Sequence, residues 1–129
     1  MLVDTDVLVW YFRGNARAIE RLNQIPDLAI SAITYLELLQ GVRSRDEMLA
    51  MQKSLSLRNA LQLPLTPEIT ARAAKLMEAL TLSHGLQLGD ALIAATALTH
   101  GRRVLTGNVK HFRAIEGLDV ERFEPIAIV

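Results

Sequence analysis

The chain has 129 residues, half of them hydrophobic and 22% charged, a globular composition and not a disordered one. Lys+Arg and Asp+Glu number 14 each, so net charge is zero and any attraction for a polyanion must come from a local patch. Cysteine is absent, which excludes disulfides, thiolate zinc sites and cysteine nucleophiles and fits a reducing cytoplasm. Met1-Leu2-Val3 reaches an acid too early for a signal peptide, and no apolar run approaches the ~20 residues of a membrane span. Without internal repeats, low-complexity segments or a Pro/Gly/Ser linker, residues 1–129 read as one domain.

The first strand is expected over roughly residues 1–4, ending at Asp4, followed by a helix from about Asp6 to Phe12. A second helical stretch, Ala16 to Gln24, stops before Pro26. Leu28-Ala29-Ile30 reads as strand two, and Ser31 is a good N-cap for a helix from Ala32 to Val42. A polar helix follows from about Arg45 to Ala60, then a short third strand over Leu61–Leu65. Thr66-Pro67 marks a helix start, a hydroxyl cap before a proline at the first helical position. Ile69, Ala73, Leu76, Met77 and Leu80 continue that helix at a 3.6-residue period, and Gly85 can cap its end. Leu88 to Thr99 is a helix apolar in nearly every direction, hence a buried one. Arg103-Val104-Leu105 gives strand four, Thr106-Gly107-Asn108 a turn, and Phe112 and Ile115 a short helical piece. Val120 to Phe123 is a candidate last strand. Strands alternating with helices predict an α/β fold with a mostly parallel sheet.

Ligands bind such sheets beyond the carboxyl ends of the strands, where Asp4 lies. An acid before a helix is equally a helix cap. Glu37 shares a helical arc with Thr34 and Gly41, which reads as a solvated face or as a face open to a ligand. Asp90 opens the buried helix, where the helix dipole favours an acid by roughly 0.3–1 kcal/mol. A carboxylate carried towards a core needs a partner or a metal. No Lys or Arg lies within ten residues on either side of Asp90, which points to a cation. Three carboxylates with waters suit Mg²⁺ or Mn²⁺ and not zinc. Such a site lowers the pKa of a bound water and neutralises phosphoryl charge, so the expected chemistry is metal-assisted phosphodiester hydrolysis. Between Ala91 and Ile115 the chain has no acid and carries Arg102, Arg103, Lys110, His111 and Arg113. These bases read either as solvated surface or as a grip on an RNA or DNA backbone near the end of strand four.

Four segments together resemble the PIN-domain ribonucleases, and within them the VapC toxins of toxin–antitoxin pairs. They are Val3-Asp4-Thr5-Asp6-Val7-Leu8, Ser31 to Leu38 with Gly41, Asp90 to Ala97, and Val104 to Asn108 followed by Phe112. The resemblance implies a three-layer α/β/α sandwich with a mostly parallel sheet, Mg²⁺-dependent endoribonuclease activity with Mn²⁺ as a substitute, and a homodimer. It also implies a cognate antitoxin that plugs the acidic site. On this basis Asp4, Asp90 and Glu37 are the metal-binding acids, and Thr106 and Asn108 the polar residues beside them. Asp6 stands where the family often has asparagine. His111 stands where many relatives carry a fourth acid; it adds no negative charge, which favours one tightly held metal over two. Met48, Met51 and Met77 offer adaptable apolar surface for a dimer, or ordinary core packing. Two other readings stay open. Asp4-Thr5-Asp6-Val7 also resembles the nucleophile motif of haloacid-dehalogenase phosphatases, although the acid expected four residues after Asp90 is Ala94. A non-catalytic PIN-fold binding module is the third.

Overall fold

Strand β1 (Leu2–Val3) shows how the layers arise. Successive strand residues point to opposite faces of a sheet. Leu2 packs in one core with Ala29 and Val104, and Val3 in a second core with Ile30 and Leu105. Those partners belong to β2 (Ala29–Ser31) and β4 (Val104–Thr106). The edges are β3 (Leu61–Leu63) and β5 (Val120–Arg122). All pairings are parallel, in the order β3-β2-β1-β4-β5. The computed structural model describes residues 1–126.

Helices cover both faces. On one side lie α5 (Pro67–His84), α6 (Leu88–His100) and the short α7 (Val109–Phe112), which bury Ile69, Ile93 and Phe112. On the other, α1 (Thr5–Phe12), α2 (Ala16–Asn23), α3 (Ala32–Gly41) and α4 (Arg45–Leu57) bury Leu8, Leu22, Leu38 and Leu55. The fold is thus the expected α/β/α sandwich. Helix α6 is the buried helix its composition predicts, with Ala91 and the run Ile93 to Ala97 all inside. No helix among the described residues is long and apolar enough to cross a membrane.

The caps follow the side chains. Ser31 accepts from the Ile33 N–H at 3.2 Å, and Thr66 accepts from the Ile69 N–H at 3.2 Å. Gly85 and Gly101 end α5 and α6 with φ of 64° and 61°, a left-handed conformation that costs glycine nothing. Several expected boundaries move. Helix α1 begins at Thr5 because Asp4 itself caps it, accepting from the Thr5 N–H at 2.7 Å. Strand β3 stops at Leu63, just short of Pro64, which has no N–H for a ladder. Met51 is buried in one core, and Met77, partly buried, packs against the other.

Candidate active site

The strand order reverses between β1 and β4, and in open parallel sheets the crevice beyond the carboxyl ends at that reversal is where ligands bind. Asp4 follows β1 there, and Thr106 closes β4 beside it. The Asp4 carboxylate is 5% exposed. Its Oδ1 accepts from the Thr5 N–H and its Oδ2 from the Thr106 hydroxyl, both at 2.7 Å. Cap and site residue are therefore one and the same. Thr106 Oγ1 in turn accepts from the Asn108 N–H at 3.0 Å.

Asp6, in the first turn of α1, is tied to the same crevice. Its Oδ2 accepts from the Gly107 N–H at 2.9 Å and from Asn108 Nδ2 at 3.1 Å. Its Oδ1 is buried without a hydrogen-bond partner. A Cβ on Gly107 would stand 2.7 Å from Asp6 Oδ2, so the approach requires glycine. Thr106-Gly107-Asn108, the turn expected from the sequence, is also the clamp on Asp6.

Glu37 reaches the crevice from the middle of α3. Its Oε1 accepts from Thr5 Oγ1 at 2.7 Å, and the Thr5 hydroxyl also lies 3.1 Å from that of the fully buried Thr34. Its Oε2 lies 3.2 Å from where a Cβ on Gly89 would be. Gly89 thus lets Glu37 come up against the start of α6, one residue before Asp90. Thr5 and Gly89 are not among the site residues expected from the sequence, although both lie in motifs around the acids. The only signal was their adjacency to acids.

Asp90 is half-buried at the start of α6, and its Oδ2 lies 3.2 Å from His111 Nδ1 on α7. The expectation that Asp90 lacks a basic neighbour holds along the chain but not in space, because α7 folds back over the start of α6.

Electrostatics tie these acids together. Burial first, then the Asp6 charge, pushes Asp4 up to about 7. Burial and then Asp4 push Asp90 up to about 6, with Glu37 adding to the rise and His111 opposing it. Asp6 is raised as well, chiefly by burial. Like charges gathered in a poorly solvated crevice disfavour one another's ionisation unless a cation compensates them. The donors are oxygens, one of them orphaned, which fits a hard divalent cation. Among the described residues no three of these groups form a ready-made cage. The fit is to an ion that keeps much of its water shell, as Mg²⁺ does. Were such an ion bound, Asp4, Asp90 and Glu37 would be the residues to hold it, chiefly through water.

The basic residues separate into two groups. Arg102 and Arg103 lie at the opposite end of the strands from the acids, which corrects their expected place beside the site. Arg102 pairs with Asp27 at 3.1 Å, and Arg103 with Asp119 at 2.9 Å and Glu121 at 3.4 Å. Both precede β4, whereas the crevice lies beyond its other end; three strand residues at about 3.3 Å each carry the chain across. Lys110 and Arg113 follow β4 on either side of the His111-Phe112 pair, and both are exposed.

The PIN domain family model matches residues 1–118. Ribonuclease VapC10 of Mycobacterium tuberculosis is 36% identical over 122 residues, covering 92% of this chain and 90% of its own. Ribonuclease VapC1 of Rickettsia felis is 32% identical over 127 residues, 93% of each chain. A solved toxin-antitoxin complex from Klebsiella pneumoniae aligns with a TM-score of 0.79 at 30% identity over 98% of both chains. With a family model spanning most of the sequence and relatives matched nearly end to end, the chain belongs to the PIN domain family, among its VapC ribonucleases.

Proposed function

We propose that the protein is a divalent-cation-dependent endoribonuclease, served by Mg²⁺ or Mn²⁺, and the toxin of a toxin–antitoxin pair. The observation that carries this reading is a set of acids near the β1/β4 reversal: the Asp6 charge raises Asp4, the Asp4 and Glu37 charges raise Asp90, and His111 stands beside Asp90. The names of its relatives support ribonuclease action, and the Klebsiella complex supports a cognate antitoxin.

A divalent cation here would polarise the phosphodiester and lower the pKa of water at the site. The protein's own part is to hold charge in place. Thr106 fixes Asp4 by its hydroxyl, so the buried carboxylate keeps one orientation. Thr5 occupies Glu37 Oε1 and leaves Oε2 to accept a proton from an attacking water. Lys110 and Arg113 meet the RNA backbone without reading its sequence. A homodimer and closure of the crevice by the antitoxin belong to the same proposal.

The phosphatase alternative asks Asp4 to be a nucleophile and needs a second acid four residues after Asp90, where the chain has Ala94. Cleavage of a mixed RNA pool in Mn²⁺, with the ends mapped, tests the nuclease reading. Asp4→Ala or Asp90→Ala should abolish cleavage with the circular-dichroism spectrum unchanged. Wild-type activity in either variant would refute the mechanism. Failure of the wild-type protein to bind Mn²⁺ in titration calorimetry would favour a binding module.

A further inference from the structure

Resting on the divalent-cation reading above, we propose that His111 is a ligand of that cation through Nδ1, and that this nitrogen shifts the site's preference from Mg²⁺ towards first-row transition ions. The first observation is spacing. His111 Nδ1 stands 3.2 Å from Asp90 Oδ2. Two ligands that each bind one ion at ~2.1 Å lie about 3.0 Å apart at an octahedral angle and about 3.4 Å apart at a tetrahedral one. The pair already has the separation of neighbouring ligands.

The second observation is how that spacing is fixed. Asp90 is in the first turn of α6, and His111 precedes Phe112, which is 1% exposed in the same core as Ala91 and Ala94. The backbone of both elements is anchored by apolar contacts within one or two residues of the pair. The imidazole itself is not core: its side chain is 42% exposed, and its contact with Asp90, not packing, sets its position, so a bound cation would replace the proton shared between them. The third is chemistry. Mg²⁺ takes oxygen ligands almost exclusively, whereas imidazole favours later first-row ions, with affinity rising from Mn²⁺ to Co²⁺. One nitrogen among carboxylates should steepen that rise.

The test uses Mn²⁺ alone as the probe on the full chain. Pulsed electron paramagnetic resonance of the Mn²⁺-loaded wild-type protein should show ¹⁴N modulation from a directly bound imidazole. His111→Ala should lose the modulation while still binding Mn²⁺ through the acids, about tenfold more weakly, the scale that even outer-shell partners of a metal reach. His111→Asp, which restores an oxygen, should lower the Co²⁺-to-Mg²⁺ affinity ratio in calorimetry by at least about tenfold. Bound Mn²⁺ without nitrogen modulation in the wild-type protein would overturn ligation by His111 and leave the metal-dependent reading intact. No Mn²⁺ binding by the wild-type protein would overturn both.

Discussion

At Asp4, function and stability oppose one another. Without a cation the folded protein holds this carboxyl at about 7, above its ordinary value of 3.8. A raised pKa means that the folded state binds the proton more tightly than the unfolded chain does. The resulting stability is fully present below the ordinary value and is lost as pH rises through about 7. Asp90, at about 6, acts in the same direction. Metal-free protein should therefore melt several degrees lower at pH 8 than at pH 5, by differential scanning calorimetry. Asp4→Asn should raise the pH 8 melting temperature and flatten the slope while abolishing cleavage. Unchanged melting in Asp4→Asn would show that Asp4 carries no buried charge. Gly107 is the second residue whose cost is legible in the coordinates. Gly107→Ala drives a Cβ to 2.7 Å from Asp6 Oδ2, and it should cost about 1–3 kcal/mol by displacing Asp6 from the Gly107 N–H. Urea denaturation with a shift below ~0.5 kcal/mol, the range of neutral surface changes, would mean that Asp6 yields without penalty. The sequence showed the acids but not this glycine, because a close approach between residues 6 and 107 exists only after β1 and β4 pair.

Between elements, the end of the sheet away from the crevice is held by ion pairs of the opposite sign of pH dependence. Arg21 of α2 meets Glu121 of β5 through two bonds, at 2.7 and 3.1 Å, and holds the Glu121 carboxyl below its ordinary range. A depressed acid contributes stability above its unfolded pKa, and that contribution is lost as pH falls through the folded value. Arg21→Ala should cost about 0.5–1 kcal/mol at pH 7, the upper end for a partly exposed pair, and progressively less below pH 4. A denaturation midpoint equal to wild type at pH 7 would assign the tether no energy. Local signals made much of this level legible. The caps at Ser31 and Thr66 and the all-round apolar α6 follow from side-chain chemistry within a few residues. Misreadings came where sequence neighbours part company in space. Arg102 and Arg103 stand only three or four residues from Thr106, yet strand β4 between them puts them at the other end of the sheet. His111 lies 21 positions from Asp90 and touches it.

For the whole molecule, the site is a product of topology. The acids come from α1, α3 and α6, and only the strand order β3-β2-β1-β4-β5 brings them to one crevice with Thr106. Alternation of strands and helices predicts the layers but not that order, which depends on pairings among distant segments. The consequence is a fold that gathers like charges beyond the carboxyl ends of its central strands. Protons and divalent cations compete for the same oxygens, so cation binding must weaken as the acids protonate. Below about pH 6 both Asp4 and Asp90 favour the proton, and above about 7 neither does. A cation at a hundred times its dissociation constant stabilises the folded state by about 2.7 kcal/mol, and one at its dissociation constant by only about 0.4 kcal/mol. At a fixed millimolar Mn²⁺ concentration, the rise in melting temperature over the metal-free protein should therefore be several-fold larger at pH 7.5 than at pH 5.5. Asp90→Asn should narrow the gap between the two shifts only in part, because Asp4, at about 7, still competes. Equal shifts in the wild-type protein at both pH values would place the cation elsewhere on the surface, and the crevice would then be an acidic pocket that no metal fills.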